Sequence, residues 1–157
     1  MKSVIIPETN FRRYVGGRAA LNLFSESGSG DWHPAAIFYG GATSLEPRFL
    51  AGKDCEVDTL ELLGDSGIYD CSQVLKEMGL KWQGEACYAA THERALADLV
   101  LASIRRGGTA AHLEADDLLP LRQEKQRLED LLARARPKLN ADQQRHLSAW
   151  MAKHLQK

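Results

Sequence analysis

A chain of 157 residues with 44% hydrophobic and 26% charged residues has the size and composition of one globular domain, with room for an appended helical element. Its formal net charge of −1, without a concentrated basic stripe, argues against a dedicated nucleic-acid-binding protein. No apolar run approaches the roughly 18 residues of a membrane-spanning helix, and the N-terminus lacks a signal-peptide stretch, so we expect no membrane contact and a cytoplasmic location.

Short apolar segments alternate with loop residues in the N-terminal part of the chain. Residues 4–6 and 19–24 are predicted as short strands or core segments, because both are apolar and are bounded by proline, serine or glycine. The serine–glycine segment 25–30 is predicted as a loop. It leads into a brief helix over residues 31–39, with Asp31 as its N-cap and two glycines at its end.

The middle of the chain is predicted to contain further short elements. Residues 48–51 and 55–63 have the apolar and β-branched content of one or two short strands, although the leucines at the end of the second segment could equally start a helix. Asp70 and Gln73 form a capping arrangement that predicts a helix over residues 71–78. Its buried side chains are predicted to be Val74, Leu75 and Met78.

Helical periodicity is strongest in the last third of the chain. One predicted helix runs from Thr91 to the glycines at 107 and 108, and a second runs from about Asp117 to Ala135. A third opens at Asn140, where Gln143 completes a capping box. The apolar faces of the last two helices are predicted to pack on each other or on a second chain.

These elements together predict an α+β fold. A mixed domain with short strands would occupy residues 1–108, and an antiparallel helix hairpin would occupy residues 109–157, packed on the first part or on a partner. We expect deletion of residues 115–157 to abolish a partner complex while the remainder stays folded. The side chains predicted to bind that partner are Leu128, Leu132, Leu147, Trp150 and Met151.

The charge is distributed unevenly along the chain. Residues 1–87 carry 8 basic and 12 acidic groups, a formal charge of −4, whereas residues 88–157 carry 12 basic and 9 acidic groups, a formal charge of +3. Such a split is compatible with a homo-oligomer and with an acidic partner for the C-terminal part.

Asp31-Trp32-His33 is the cluster that most resembles a catalytic site, because a carboxylate and an imidazole lie beside an aromatic side chain after a glycine-rich loop. Asp31 and His33 could serve as acid and base in a small enzyme acting on a nucleotide or nucleic acid. The interpretation that we favour is structural, with Asp31 capping a helix and His33 in its solvated first turn.

Three arginines near the N-terminus are candidates for anion or nucleic-acid contact. Arg12, Arg13 and Arg18 lie in a segment that also holds Phe11 and Tyr14, and aromatic and arginine side chains recur at nucleic-acid and protein interfaces. The nearby glycines lack the Gly-Lys-Ser/Thr ending of a phosphate-binding loop, so an ordinary loop is the favoured interpretation there.

No metal or cofactor is expected from the sequence. His92-Glu93 begins like the HExxH zinc motif, but Leu96 occupies the position of the second histidine. The cysteines at 55, 71 and 87 are too widely spaced for a CxxC pair and are interpreted as buried or idle thiols. Cys71 at a helix start could have a lowered pKa, although an inert, partly buried thiol is the favoured interpretation.

Residues 88–100, with the sequence YAATHERALADLV, resemble a segment of the AbiEi-type antitoxins in which a P-E-K-A-L-x-D-L-L stretch follows a short pre-helix segment. Antitoxins of that family pair with nucleotidyltransferase toxins, and a winged-helix DNA-binding region precedes the stretch. Here His92 replaces the usual proline, and no basic recognition helix is found upstream. The resemblance implies a toxin–antitoxin or phage-defence context and transfers no functional residue.

The sequence therefore favours a small protein-binding regulator, antitoxin-like or associated with phage defence, that acts by sequestering a partner protein. Nucleic-acid contact would be secondary. Two alternatives remain open at this point, namely the small enzyme described above and a DNA-binding repressor whose affinity would fall steeply with salt.

Overall fold

The fold is α+β, with short strands in the N-terminal half and helices in the C-terminal half, which confirms the predicted fold class. The computed structural model describes residues 5–23 and 49–155. In chain order the strands are β1 (Ile5–Ile6), β2 (Arg13–Val15), β3 (Leu50–Gly52), β4 (Ile68–Asp70), β5 (Lys81–Trp82) and β6 (Tyr88–Ala90). The helices are α1 (Gly17–Leu21), α2 (Leu60–Leu63), α3 (Ser72–Glu77), α4 (His92–Arg105), α5 (Ala115–Leu118), α6 (Arg122–Ala135) and α7 (Ala141–His154).

Four of the strands form a mixed sheet in the order β3-β2-β6-β4. β2 runs antiparallel to β3 and parallel to β6, while β6 runs antiparallel to β4. β1 and β5 form a separate parallel pair. Because β2 and β6 are parallel, the helices that follow them, α1 and α4, both begin at the same edge of the sheet.

The helix α4 is the central element of the fold. Its N-terminus is capped by Thr91, whose side chain accepts a hydrogen bond from the Arg94 amide, and nearly all of its side chains are buried. It packs against α1, α6 and α7. Leu96 and Ile104 join the apolar core with the C-terminal helices, whereas Ala95 joins a second cluster with residues of the sheet and α1.

The predicted helix from Asp117 to Ala135 is interrupted, which corrects that prediction. α5 ends at Leu118, and Pro120 follows, which cannot donate a backbone hydrogen bond and disfavours helical geometry in the residue before it. Leu119 accordingly has φ −129° and ψ 83°. α6 then begins with Leu121 at its N-cap position, where the Leu121 amide donates to the Glu124 side chain at 3.3 Å.

The last helix begins as predicted. The Asn140 side chain accepts from the Gln143 amide at 2.8 Å, and the Gln143 side chain accepts from the Asn140 amide at 3.0 Å. These reciprocal bonds satisfy two amides that a helix start leaves without intrahelical partners. The capping box therefore determines where α7 begins.

The two long C-terminal helices both pack on α4. Their apolar side chains belong to one core cluster that also contains residues of α2 and α4. The predicted boundary at residue 108 therefore runs through a shared core. Removing residues 115–157 would expose the apolar side chains of α4 that pack against α6 and α7. This differs from the expectation that the remainder folds alone.

Several N-terminal predictions also change. Residues 19–21, predicted as a strand or core segment, are buried core residues in the helix α1. Residues 55–57 form a bend rather than a strand, and Leu60–Leu63 is helical, as the alternative allowed. The predicted helix over 71–78 is found as Ser72–Glu77, with Leu75 fully buried and Val74 and Met78 half-buried. The predicted loop 25–30 and helix 31–39 lie outside the described residues.

Within the described part of the chain, none of the helices combines the length and apolarity needed to cross a lipid bilayer.

Candidate functional site

A buried polar network lies between α4 and the sheet. Arg94 and Asp98 are one turn apart on α4, and both side chains are fully buried. Asp98 accepts from Arg94 Nε at 2.8 Å, from the Thr59 hydroxyl at 2.5 Å and from the Tyr14 hydroxyl at 2.6 Å. The carboxylate charge is thus compensated by one cation and two hydroxyl groups, as a buried charge requires.

The remaining donors of Arg94 are also used. Nη1 donates to the Ser66 carbonyl at 2.5 Å, and Nη2 donates to the hydroxyls of Tyr14 and Thr59 at 3.2 Å each. Gly67 allows Arg94 to lie close to the backbone, because a Cβ at Gly67 would be 2.8 Å from Arg94 Cβ. The φ of Gly67 is +79°, which also favours glycine. The network ties β2, the start of α2 and the turn before β4 to the central helix.

The arrangement of this network suits stabilisation of the fold rather than proton transfer. Burial, and next the charge of Asp98, raise the pKa of Tyr14 far above its ordinary value of about 10, so the phenol stays protonated. Arg94, Asp98, Tyr14 and Thr59 have no measurable exposure to solvent. Their hydrogen bonds are made to one another and to the backbone, which specifies how the helix sits on the sheet.

We expect Tyr14 to stay protonated until the chain unfolds in alkali. Its folded-state pKa is raised, so its contribution to stability is complete below the unfolded pKa of about 10 and is lost as the pH rises above that value. The measurement is tyrosinate absorbance followed together with circular dichroism, with Tyr14→Phe as the control. A wild-type chain that titrates every tyrosine near pH 10 while folded would contradict the expectation.

The sequence-predicted polar residues do not converge on one site. Asp31 and His33 lie outside the described residues, so the acid/base pair stays a prediction. Arg12 and Arg13 are exposed at the N-terminal end of β2, whereas Arg18 is exposed in α1, beyond the opposite end of that strand. The three arginines therefore do not form a single anion-binding cluster.

An exposed surface forms where β2 begins. Phe11 is 45% exposed, and its ring stacks on Tyr88 with a centroid distance of 4.7 Å and an interplanar angle of 43°. The Asn10 side chain accepts from the amides of Arg12 at 2.8 Å and of Arg13 at 3.1 Å, which fixes the turn that presents them. We call this surface, made of Phe11, Arg12, Arg13 and Tyr88, the aromatic–arginine patch.

The neighbouring strand holds the patch in place. The Lys53 amide donates to the Arg12 carbonyl at 2.8 Å. A Cβ at Gly52 would lie 2.1 Å from the same oxygen, and φ at Gly52 is +108°, so only glycine fits there. Arg13 lies close to Cys55, whereas the Arg12 guanidinium has no hydrogen-bond or ion-pair partner among the described residues.

The apolar residues predicted to bind a partner lie in the interior of this chain. Leu128, Leu132 and Leu147 have no exposed area, and Trp150 and Met151 are 3% and 7% exposed. The Trp150 indole also donates to the Leu113 carbonyl at 3.2 Å. In this arrangement these side chains stabilise the chain's own core, and a partner could contact them only after α6 or α7 moved away from α4.

The His92-Glu93 pair also has structural partners. His92 is buried, with Nε2 at 2.7 Å from the Leu23 carbonyl, and the Glu93 carboxylate accepts from Arg127 at 3.2 Å. Among residues 5–23 and 49–155, no group of three or more histidine, cysteine or acidic side chains is positioned to hold a metal ion.

Comparisons of the chain with protein-family models, with curated proteins and with solved structures found no match. The resemblance of residues 88–100 to AbiEi-type antitoxins therefore stays a prediction. The structure places that stretch in β6 and the first half of α4, and both Arg94 and Asp98 fall within it. The resembling positions thus include the buried network that joins the sheet to the helix.

Sequence reasoning missed two arrangements. The four-residue spacing of Arg94 and Asp98 was an available signal for an ion pair, but exposed helical pairs have the same spacing, so burial could not be inferred from it. Phe11 was noted only as an aromatic neighbour of arginines. Its stacking partner Tyr88 lies far away in the sequence, and no local pattern links the two.

Proposed function

We propose that this chain is a protein-binding regulator of the antitoxin type, which acts by sequestering a partner protein through the aromatic–arginine patch. The observation that carries the proposal is the exposed Phe11 ring, in contact with the Tyr88 ring beside the exposed Arg12 in a turn fixed by Asn10. A cytoplasmic location belongs to the same proposal.

The composition of the patch suits a protein interface. Aromatic and arginine side chains are enriched where protein interfaces contribute most of their binding energy. The turn is already fixed, because the Asn10 side chain accepts from the Arg12 amide and the Lys53 amide donates to the Arg12 carbonyl, so little conformational entropy is lost when a partner binds. The matching partner surface would combine an apolar pocket for Phe11 with a carboxylate for Arg12.

The resemblance supports the same class of function. Tyr88, against which Phe11 stacks, is the first residue of the stretch that resembles the AbiEi-type antitoxins. The resemblance implies a toxin as the partner, and sequestration requires a complementary surface rather than a catalytic group. We therefore place the partner among toxin-like proteins with an acidic rim around an apolar pocket.

The test is a comparison of tagged variants expressed in the native host. Wild type, Phe11→Ala and Leu121→Ala are recovered under mild salt, with and without nuclease, and co-purifying proteins are identified by mass spectrometry. Leu121 is 40% exposed at the start of α6, so its truncation is a matched control for loss of an exposed apolar side chain. We expect wild type and Leu121→Ala to retain a stoichiometric protein that Phe11→Ala loses.

The other outcomes separate the alternatives. Recovery of wild type without a stoichiometric protein would contradict the sequestration proposal. Equal retention by Phe11→Ala would place the interface elsewhere on the chain. Co-purification that disappears with nuclease or with moderate salt would indicate nucleic-acid binding through Arg12 instead.

A further inference from the structure

Two cysteines that are 16 residues apart in sequence lie opposite each other in the fold. The β4–β6 pairing aligns Asp70 with Tyr88, and the next antiparallel position aligns Cys71 with Cys87. The Cys71 amide donates to the Cys87 carbonyl at 2.8 Å, so one backbone hydrogen bond joins the two residues just beyond the paired strands. Both cysteines are reduced and have no exposed area.

Neighbouring hydroxyl groups fix the backbone of this pair. The Ser72 hydroxyl accepts from the Cys87 amide at 2.9 Å and donates to the Asp70 carboxylate at 2.5 Å. The Thr9 hydroxyl accepts from the Tyr88 amide at 2.8 Å. The amides of Cys87 and of the next residue, Tyr88, are thus held in place, and so is the position of Cys87 relative to Cys71.

The separation of the two residues suits a disulfide. Residues that face each other in a hydrogen-bonded antiparallel pair have Cα atoms about 5.5 Å apart. Disulfides are formed at Cα separations of about 4.4–6.8 Å. The side chains of directly opposed residues also point to the same face of the sheet. The bond can therefore form without a change of register.

We propose that Cys71 and Cys87 are a reversible oxidation site, at which a hydroperoxide converts the two thiols into an intramolecular disulfide. This inference concerns the sheet and does not depend on the proposed partner binding. It assigns a role to two of the three cysteines, which the sequence left as buried or idle thiols.

The two cysteines would have different roles. The Cys71 thiol and the Thr9 hydroxyl donate to the Cys87 sulfur and lower the pKa of Cys87, whereas donation to Cys87 and burial raise the pKa of Cys71. Within the proposal Cys87 acts as the nucleophile and Cys71 as the resolving thiol. Cys87 follows the half-buried Ala86 and is two residues along the chain from the exposed Glu85.

The chemistry proceeds in two balanced steps. The Cys87 thiolate attacks one peroxide oxygen, the O–O bond breaks, and the leaving hydroxide takes up a proton to become water, which leaves a sulfenic acid on Cys87. The Cys71 sulfur then attacks the Cys87 sulfur, the S–O bond breaks, and the departing hydroxide takes the Cys71 proton as a second water. The peroxide is reduced by two electrons and the dithiol is oxidised by two.

The test uses the folded, reduced, full-length chain. After treatment with hydrogen peroxide the protein is denatured, alkylated and digested with trypsin and Asp-N, which place residues 55, 71 and 87 in different peptides. We expect a cross-linked pair of peptides containing Cys71 and Cys87, loss of two alkylatable thiols per chain, and their recovery with dithiothreitol. Cys55, whose pKa is raised chiefly by burial, should remain alkylated.

Variants distinguish this site from general thiol oxidation. Cys55→Ser should form the same disulfide, whereas Cys71→Ser should accumulate a sulfenic acid on Cys87 that dimedone traps. The proposal fails if Cys71 and Cys87 remain alkylated while Cys55 is consumed. It also fails if the cross-link forms only in urea or joins two chains, because the native alignment would then not be its cause.

Discussion

Deletion of residues 115–157 is expected to unfold the rest of the chain. The deletion removes the Leu128, Leu132 and Leu147 side chains, which share a core cluster with Leu96 and Ile104 of α4. Exposing apolar area costs about 25 cal/mol per Å², so uncovering about 300 Å² would cost about 7.5 kcal/mol, within the roughly 5–15 kcal/mol by which domains are stable. Circular dichroism and urea denaturation of the truncated chain would measure the loss.

A pair of point variants tests the same core without removing a segment. Leu132→Ala, at a fully buried position of α6, is expected to lower the free energy of unfolding by about 2–5 kcal/mol. Leu121→Ala, 40% exposed, should change it by no more than about 0.5 kcal/mol. A truncated chain that still unfolds cooperatively, together with a neutral Leu132→Ala, would show that residues 1–114 fold independently.

Replacement of Asp98 by Asn is expected to destabilise the fold by about 3–5 kcal/mol, because it leaves the Arg94 guanidinium buried without a counter-charge. The loss of the carboxylate also weakens the hydrogen bonds that the Tyr14 and Thr59 hydroxyls donate to it. Denaturant titration at constant pH would measure the change in the free energy of unfolding.

The matched control is Asp142→Asn in the pair between Arg145 and Asp142, whose side chains are 72% and 76% exposed. Because solvent screens that pair, its loss should cost no more than about 1 kcal/mol. The double variant Arg94→Met with Asp98→Leu should recover part of the stability lost in Asp98→Asn, since an apolar pair leaves no isolated charge. Equal effects of the two Asp→Asn changes would contradict a buried ion pair.

Helix boundaries with local chemistry could be predicted from the sequence. The Thr91 side chain caps α4, Asn140 and Gln143 form a capping box at α7, and the backbone turns at Gly107 with φ +89°. Pro120 is an equally local signal. A prediction that took it into account would have ended one helix at Leu118 and begun the next at Arg122. These features depend on residues within one or two turns of each other, so they can be recognised in a single sequence.

The candidate sites depend on pairs that are distant in sequence. Phe11 meets Tyr88 because β2 and β6 are parallel neighbours in the sheet, and Cys71 meets Cys87 because β4 and β6 are antiparallel neighbours. Strand order is set by how the whole chain buries its apolar faces, and three-residue strands contain too few positions to reveal that order in their own pattern.

The sequence by itself determined the α+β class, the approximate positions of the long helices and the capping box of α7, because propensity and capping act over a few residues. Only the tertiary structure decided that Arg94 and Asp98 are buried, that the apolar faces of α6 and α7 cover α4, and that two cysteines oppose each other. The physical reason is that burial depends on which surfaces meet, and that is a property of the whole packed chain.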